Sequence, residues 1–264
     1  MNKTAHMFWI SGILFLTVLL SACSTFTHGR GPRPFVTKVN LSDYRLVWSD
    51  GFNGNAVNTD EWHYRTDNSW GSTQLPANVS EADGLLRIDL RKQDAGGKHY
   101  TGGGIITKRH FEFGYYETRM RMPASPGWHT SFWMAGFDNM KSPTGASGGL
   151  QELDCCEQDS FEQSSYTHNI HMRKPAYLTG WTRIRTPNLT QGFHVWGCEF
   201  TPRHVRYFFD GQMGGVYDIA HWEKGDQQIW LTSIAANIGG KTGTPIDADL
   251  PQRAEFDYVR FFQK

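Results

Sequence analysis

The chain has 264 residues, 39% of them apolar and 14% aromatic, with ten Trp and ten Tyr. Lys and Arg total 26, as do Asp and Glu, so the formal net charge is zero and no basic run steers the protein toward nucleic acid. The length suits a single all-β unit, and the aromatics are numerous enough to fill a core and still line a surface or cleft.

The N-terminal stretch "MNKTAHMFWISGILFLTVLLSACSTFTHG" carries Lys3 in a short head and an apolar run from Met7 to Leu20. That run has the length of a signal h-region and is too short to span a bilayer comfortably. It ends in Leu20-Ser21-Ala22-Cys23, which resembles the bacterial lipobox. Residues 1–22 are therefore expected to be a lipoprotein signal peptide, and Cys23 the lipidated residue. Attachment to a membrane then rests on acyl chains alone. Ser24, a non-Asp residue after the Cys, points to the outer membrane of a bacterial cell envelope. Residues 23–40, rich in Ser, Thr, Gly and Pro, read as a tether. Residues 41–264 read as one folded domain, expected to be a monomer.

Within the domain the pattern is strands and turns. "YRLVWSD" is a strand leading into "GFNG". "GLLRIDLRK" alternates with period two, and "GGGIITKRHFEFGYYETRMRMP" reads as strand, turn, strand. "TSFWMAGF" and "LQELDCCEQ" follow. "FHVWGCEFT" and "HVRYFFDGQMGGVYD" are further strands, with a hairpin marked by Asp210-Gly211. "HWEKGDQQ" has room for one helical turn. "QQIWLTSIAANI" and "AEFDYVRFFQK" close the chain. Many short strands with Gly-rich turns predict an all-β sandwich.

"QELDCCEQ" concentrates the chemistry. On a strand, Glu152 and Asp154 share one face while Leu153 and Cys155 point to the other. Strict alternation would turn Glu157 inward, and a buried unpaired carboxylate costs several kcal/mol. One β-bulge at Cys155-Cys156 restores Glu157 to the acidic face. Three carboxylates in a row suit retaining glycoside hydrolysis, in which two of them flank the bond at about 5.5 Å. Other chemistries for the same residues are a metal site of Cys155 or Cys156 with His168 and His171, a dithiol redox site, and a carbohydrate-binding module without catalysis. Neighbouring strand cysteines point opposite ways and no Cys-x-x-Cys occurs, which disfavours the first two. The presence of all three acids disfavours the third. If lipid consumes Cys23, then Cys155, Cys156 and Cys198 remain, an odd number.

Glu152-Leu153-Asp154-Cys155-Cys156-Glu157 resembles the bulged-strand motif of glycoside hydrolase family 16. "LVWSDGFNG", "IITKRHFEFGYYETRMRMP", "TSFWMAG", "FHVWGCEFTPRHVRYFFDG" and "FDYVRFFQK" resemble that family's other segments in the same order. The resemblance runs from about Tyr44 to Lys264. It implies a jelly roll of two curved antiparallel sheets with a cleft across the concave one. By position it makes Glu152 the nucleophile, Glu157 the acid/base, and Asp154 the group between them.

Trp133, His129 and Ser131 share parity and should face that cleft, with Trp133 the platform before the cleaved bond. Trp70 and Trp181, read as loop residues, Arg119 and His171 complete the expected substrate contacts. No cofactor is implied for catalysis. A structural Ca²⁺ on the convex face is implied near Asp50, Gly54 and Asp257, although Gly51 replaces the family's usual Glu. Gln151 and His129 depart from the pattern of β-1,3-glucan-active members. Ser131 before Phe132-Trp133 is closer to agarase, carrageenase and porphyranase branches. The expected substrate is a β-linked, optionally sulfated galactan, since Arg pairs well with oxyanions. An endo-β-1,3-glucanase is the alternative.

Overall fold

The computed structural model describes residues 39–136, 150–236 and 243–264. The expected signal peptide, Cys23 and all but the end of the tether lie outside the described residues. The described chain starts at Val39, whose N–H donates to the Gly211 carbonyl at 3.0 Å.

Strands account for nearly all regular structure, and no α-helix occurs among the described residues. One sheet runs, in spatial order, β11 (Leu178–Arg185), β10 (Ser165–Met172), β9 (Gln151–Asp159), β8 (Trp128–Ala135), β15 (Gln228–Ala235), β6 (Lys98–Thr107) and β2 (Trp62–Tyr64). The second runs β4 (Val79–Ala82), β5 (Leu85–Ala95), β16 (Gln252–Gln263), β7 (Gly114–Arg121), β12 (His194–Phe200), β13 (His204–Phe209) and β14 (Gln212–Asp218). β1 (Arg45–Asp50) pairs with the C-terminal half of β16. All these pairings are antiparallel. The short β3 (Ser72–Gln74) adds to β6 in parallel. The result is the jelly-roll sandwich that the alternation predicts.

The β5–β6 hairpin links the sheets. Its tip is paired at Arg91↔Thr101 and Lys92↔Tyr100. Below the tip the two strands part: Leu86–Leu90 pair with β16, and Gly103–Ile106 with β15. Glycine permits this splay at Gly102, where a Cβ would lie 2.5 Å from the Ser233 carbonyl oxygen. The β13–β14 hairpin turns at Asp210-Gly211, both with positive φ (46° and 75°), as a two-residue turn of twist-compatible hand requires.

The core lies between the sheets. Fully buried Trp128, Phe132, Trp196, Tyr207, Phe256 and Phe261 supply much of its bulk. The packing crosses the layers, as where Tyr166 of β10 meets Trp196 of β12 edge to face at 5.9 Å. "HWEKGDQQ" does not form the expected helical turn. It is a plain turn closed by Trp222 N–H on the Ile219 carbonyl, and Gly225 beyond it is tied to Gln151. Single 3₁₀ turns occur instead at Pro76–Asn78 and Asp247–Asp249.

Candidate active site

β9 carries the bulge. Its register against β8 runs Phe132↔Cys156 and then Trp133↔Asp154, leaving Cys155 as the extra residue. Leu153, Cys155 and Cys156 all enter the core. Glu152, Asp154 and Glu157 emerge together on the opposite face, where they line a cleft of about 630 Å³. Burial of two adjacent cysteines on one face is what an inserted residue achieves.

The cleft wall on the β8 side is built from His129, Ser131 and Trp133, with Thr232 and Ile234 of β15 beside them. Trp133 packs on Trp230 with ring centroids 4.4 Å apart. Trp70 and Arg65 close that end. Arg65 is a buried cation, paired with Asp67 at 2.5 Å.

Each acid has its own partners. Arg173 donates to Glu152 Oε2 at 2.7 Å. The ring of His171 lies 3.5 Å from Asp154 Oδ2, and its other nitrogen meets the Tyr177 hydroxyl at 2.7 Å. Asn169 donates to Glu157 Oε2, and His129 Nε2 lies 3.4 Å from Glu157 Oε1. His129 Nδ1 bonds Asp159 at 2.8 Å.

These surroundings set charge states. Burial, reinforced by the neighbouring Glu157 and Glu152, raises the Asp154 pKa well above the usual carboxylate range, against the pull of Arg173. Asp154 thus holds its proton more tightly than an ordinary carboxyl, in its place between Glu152 and Glu157. Burial opposes charge on His129, but its bonds to Asp159 and Glu157 outweigh it and lift the pKa to about 9. His129 is therefore an imidazolium on the wall beside Glu157.

Of the residues expected from sequence, the structure gathers Glu152, Asp154, Glu157, Trp133, His129, His171 and Trp70 at one place. Arg119 is a correction. It lies on β7 of the other sheet, pairs with Asp257 at 2.5 Å and covers Phe193, outside the cleft. Trp181 is not a loop residue; it sits in β11. Sequence reasoning missed Arg65, Asp159, Asn169 and Arg173. Asn169 shares parity with His171, and that signal alone was available.

Two of the residues expected near a structural Ca²⁺ have protein partners. Asp257 is committed to Arg119, and the two Asp50 oxygens accept from the Phe52 N–H and the Trp62 indole, both at 2.8 Å. The alternative site of cysteine with His168 and His171 is not assembled. Both cysteines are in the core, and buried His168 stacks on Tyr207 at 4.6 Å, on the face of β10 opposite His171. Gln151 points away from the cleft, its amide donating to the Gly225 carbonyl at 2.6 Å.

A jelly roll with a carboxylate row on its cleft face defines a glycoside hydrolase. The sequence matches the family model of the β-porphyranase A–D GH16 domain over residues 46–263, and the chain belongs to glycoside hydrolase family 16. It is 26% identical to a β-glucanase of Rhodothermus marinus over 94% of this chain and 93% of that one. It is 28% identical to a keratan-sulfate endo-1,4-β-galactosidase of Sphingobacterium multivorum, over all of this chain and 68% of that one. Its fold superposes on SCLam, a non-specific endo-β-1,3(4)-glucanase of family GH16, with a TM-score of 0.74 at 25% identity, covering 84% of this chain and 92% of that one. A laminarinase from Flavobacterium sp. UMI-01 gives 0.71 at 26%, covering 83% and 100%. The protein is an endo-acting β-glycoside hydrolase of the retaining class.

Proposed function

We propose that the substrate is a β-linked galactan, with sulfate or another anionic substituent accepted. The observation that carries this reading is the match to the porphyranase-type domain across residues 46–263. A second reading, an endo-β-1,3-glucanase, draws on the glucanases among the relatives.

In this reading Glu152 attacks the anomeric carbon and Glu157 gives its proton to the departing glycosidic oxygen. A covalent glycosyl-enzyme forms. Glu157, now a carboxylate, takes a proton from water, which displaces Glu152 with net retention. His129, charged and fixed by Asp159, stabilises Glu157 once its proton has gone. Asp154, whose pKa burial and the two neighbouring acids raise, lies beside Glu152 and helps to orient it for attack. We also propose that Cys23 anchors the enzyme by lipid to the outer membrane, which mass spectrometry of the native N-terminus tests.

Purified enzyme should be incubated with agarose, porphyran, carrageenan, keratan sulfate, laminarin and lichenan, and the products sized. Fastest cleavage of a galactan is the expected result. Fastest cleavage of laminarin or lichenan overturns the galactan reading in favour of the second.

A further inference from the structure

The cleft does not stop at the acids. Register places one residue from each strand in a single line across the sheet: Trp133 of β8 faces Asp154 of β9, Asp154 faces Asn169 of β10, and Asn169 faces Trp181 of β11. Directly paired residues share a face of the sheet. Asn169 points to the cleft, since its amide holds Glu157. Trp181 therefore projects on the cleft side as well.

The opposite parity of β11 confirms the assignment. Ile184 packs on the core, and a Cβ at Gly180 would meet the Tyr217 ring at 2.7 Å. The even-numbered face is internal. Trp181, by contrast, is 67% exposed on the terminal strand of the sheet. Arg183, two residues on and on the same face, is restrained by its ion pair with Glu162.

With Trp133 taken as the platform before the cleaved bond, we propose that Trp181, across β9 from it, is a sugar-stacking platform on the leaving-group side. The proposal rests on the glycosidase reading above, and names a binding position within it. Two strand spacings separate Trp181 from the catalytic strand, roughly 10 Å at the backbone. That is the reach of two linked sugar rings, so Trp181 meets the second ring beyond the cut bond. Trp133 and Trp70 lie on the other side of β9, and the acids stand between. A Trp ring offers a flat apolar face to the C–H face of a sugar at small entropic cost, because few torsions are frozen. The same platform would hold an acceptor sugar after the first product leaves, and so favour glycosyl transfer over hydrolysis at high oligosaccharide concentration.

Calorimetric titration tests the proposal without turnover. Glu152→Ser and Glu152→Ser/Trp181→Ala proteins are titrated with eight-sugar oligosaccharides from agarose, porphyran and laminarin. Trp181→Ala is expected to weaken the best-bound probe about tenfold, the loss expected for roughly 50 Å² of apolar contact. Trp181→Phe should recover most of it. With the Glu152-active enzyme, Trp181→Ala should also move the preferred cut nearer the reducing end of that probe. Unchanged affinity and cutting position in Trp181→Ala, with the native circular dichroism spectrum, overturns the platform and leaves the glycosidase reading standing. If Glu152→Ser binds none of the three probes, the polysaccharide reading fails and takes the platform with it.

Discussion

Arg173 and Glu152 are joined across the cleft sheet by a 2.7 Å charge-assisted hydrogen bond, from a residue just past the end of β10 to the head of the acidic row. Both side chains are one-fifth exposed, so the bond sits at the margin of solvent. Its role is orientation: one carboxylate oxygen is fixed and the other left for attack. Arg173→Ala should lower kcat by about 10–100-fold, in the range that misplaced catalytic groups cost, with little change in KM. Arg173→Lys, a point charge without the fork, should recover only part. Steady-state kinetics on the best substrate of the panel check both.

Asp154 ties stability to activity. Its native pKa is raised, so between the unfolded value near 3.8 and its native value the folded protein holds a proton that the unfolded chain has released. Stability therefore falls as pH rises through that window. Asp154→Asn removes the dependence. The variant should melt about 2–4 °C above wild type at pH 7–8, and the gap should close toward pH 4. Turnover should fall by at least about 100-fold, in the range lost with a transition-state donor. Calorimetric scans at several pH values, beside an activity assay, decide it.

His129 adds a second loss of stability with rising pH, at higher pH and from a group whose charge stabilises the fold. Its stabilising charge is fully present below the unfolded pKa near 6.5, and is lost as pH rises through about 9. That contribution is of order 3 kcal/mol at most. Wild-type Tm should drop between pH 7 and pH 10, and His129→Gln should lack that drop. Equal alkaline slopes in the two proteins would contradict the Asp159–His129–Glu157 arrangement.

The adjacent cysteines should be chemically silent. Cys155, Cys156 and Cys198 are free and fully buried, and burial pushes all three thiols well up, away from reactivity. A Cys155→Val/Cys156→Ala protein should lose about 1–2 kcal/mol of stability and remain active where circular dichroism shows it folded. Chelators and reductants should leave the wild type unaffected. A folded but inactive double variant would return "ELDCCE" to thiol or metal chemistry.

What was legible in the sequence followed from alternation. β9 could be read, bulge included, because an inward Glu157 would have been too costly. The parity of His129, Ser131 and Trp133 gave their face correctly. Alternation gives a face but not a sheet, and Arg119 shows the difference: it was expected in the cleft but lies on the other layer. β11 was missed because an edge strand needs no continuous apolar face, and "LTGWTRIR" has little of one. Arg65 and Arg173 left no local signal at all. Their places at the cleft depend on which strands become neighbours, and that is decided by pairings far apart in the chain.

The order of strands also bears on how the molecule can assemble. β8, β9, β10 and β11 are consecutive in both sequence and space, so the half of the sheet that bears the acids needs only short chain closures. β15 then inserts between β8 and β6, and the Thr130–Ser233 hydrogen bond closes 103 residues of chain. Pairings of that separation form slowly. Until β15 arrives, β8 is an open edge, although all eight of its residues are destined for burial. A chain interrupted before residue 228 would thus carry an intact catalytic strand beside an uncovered apolar template for self-association. The hazard of a truncated product here is aggregation and not merely lost turnover.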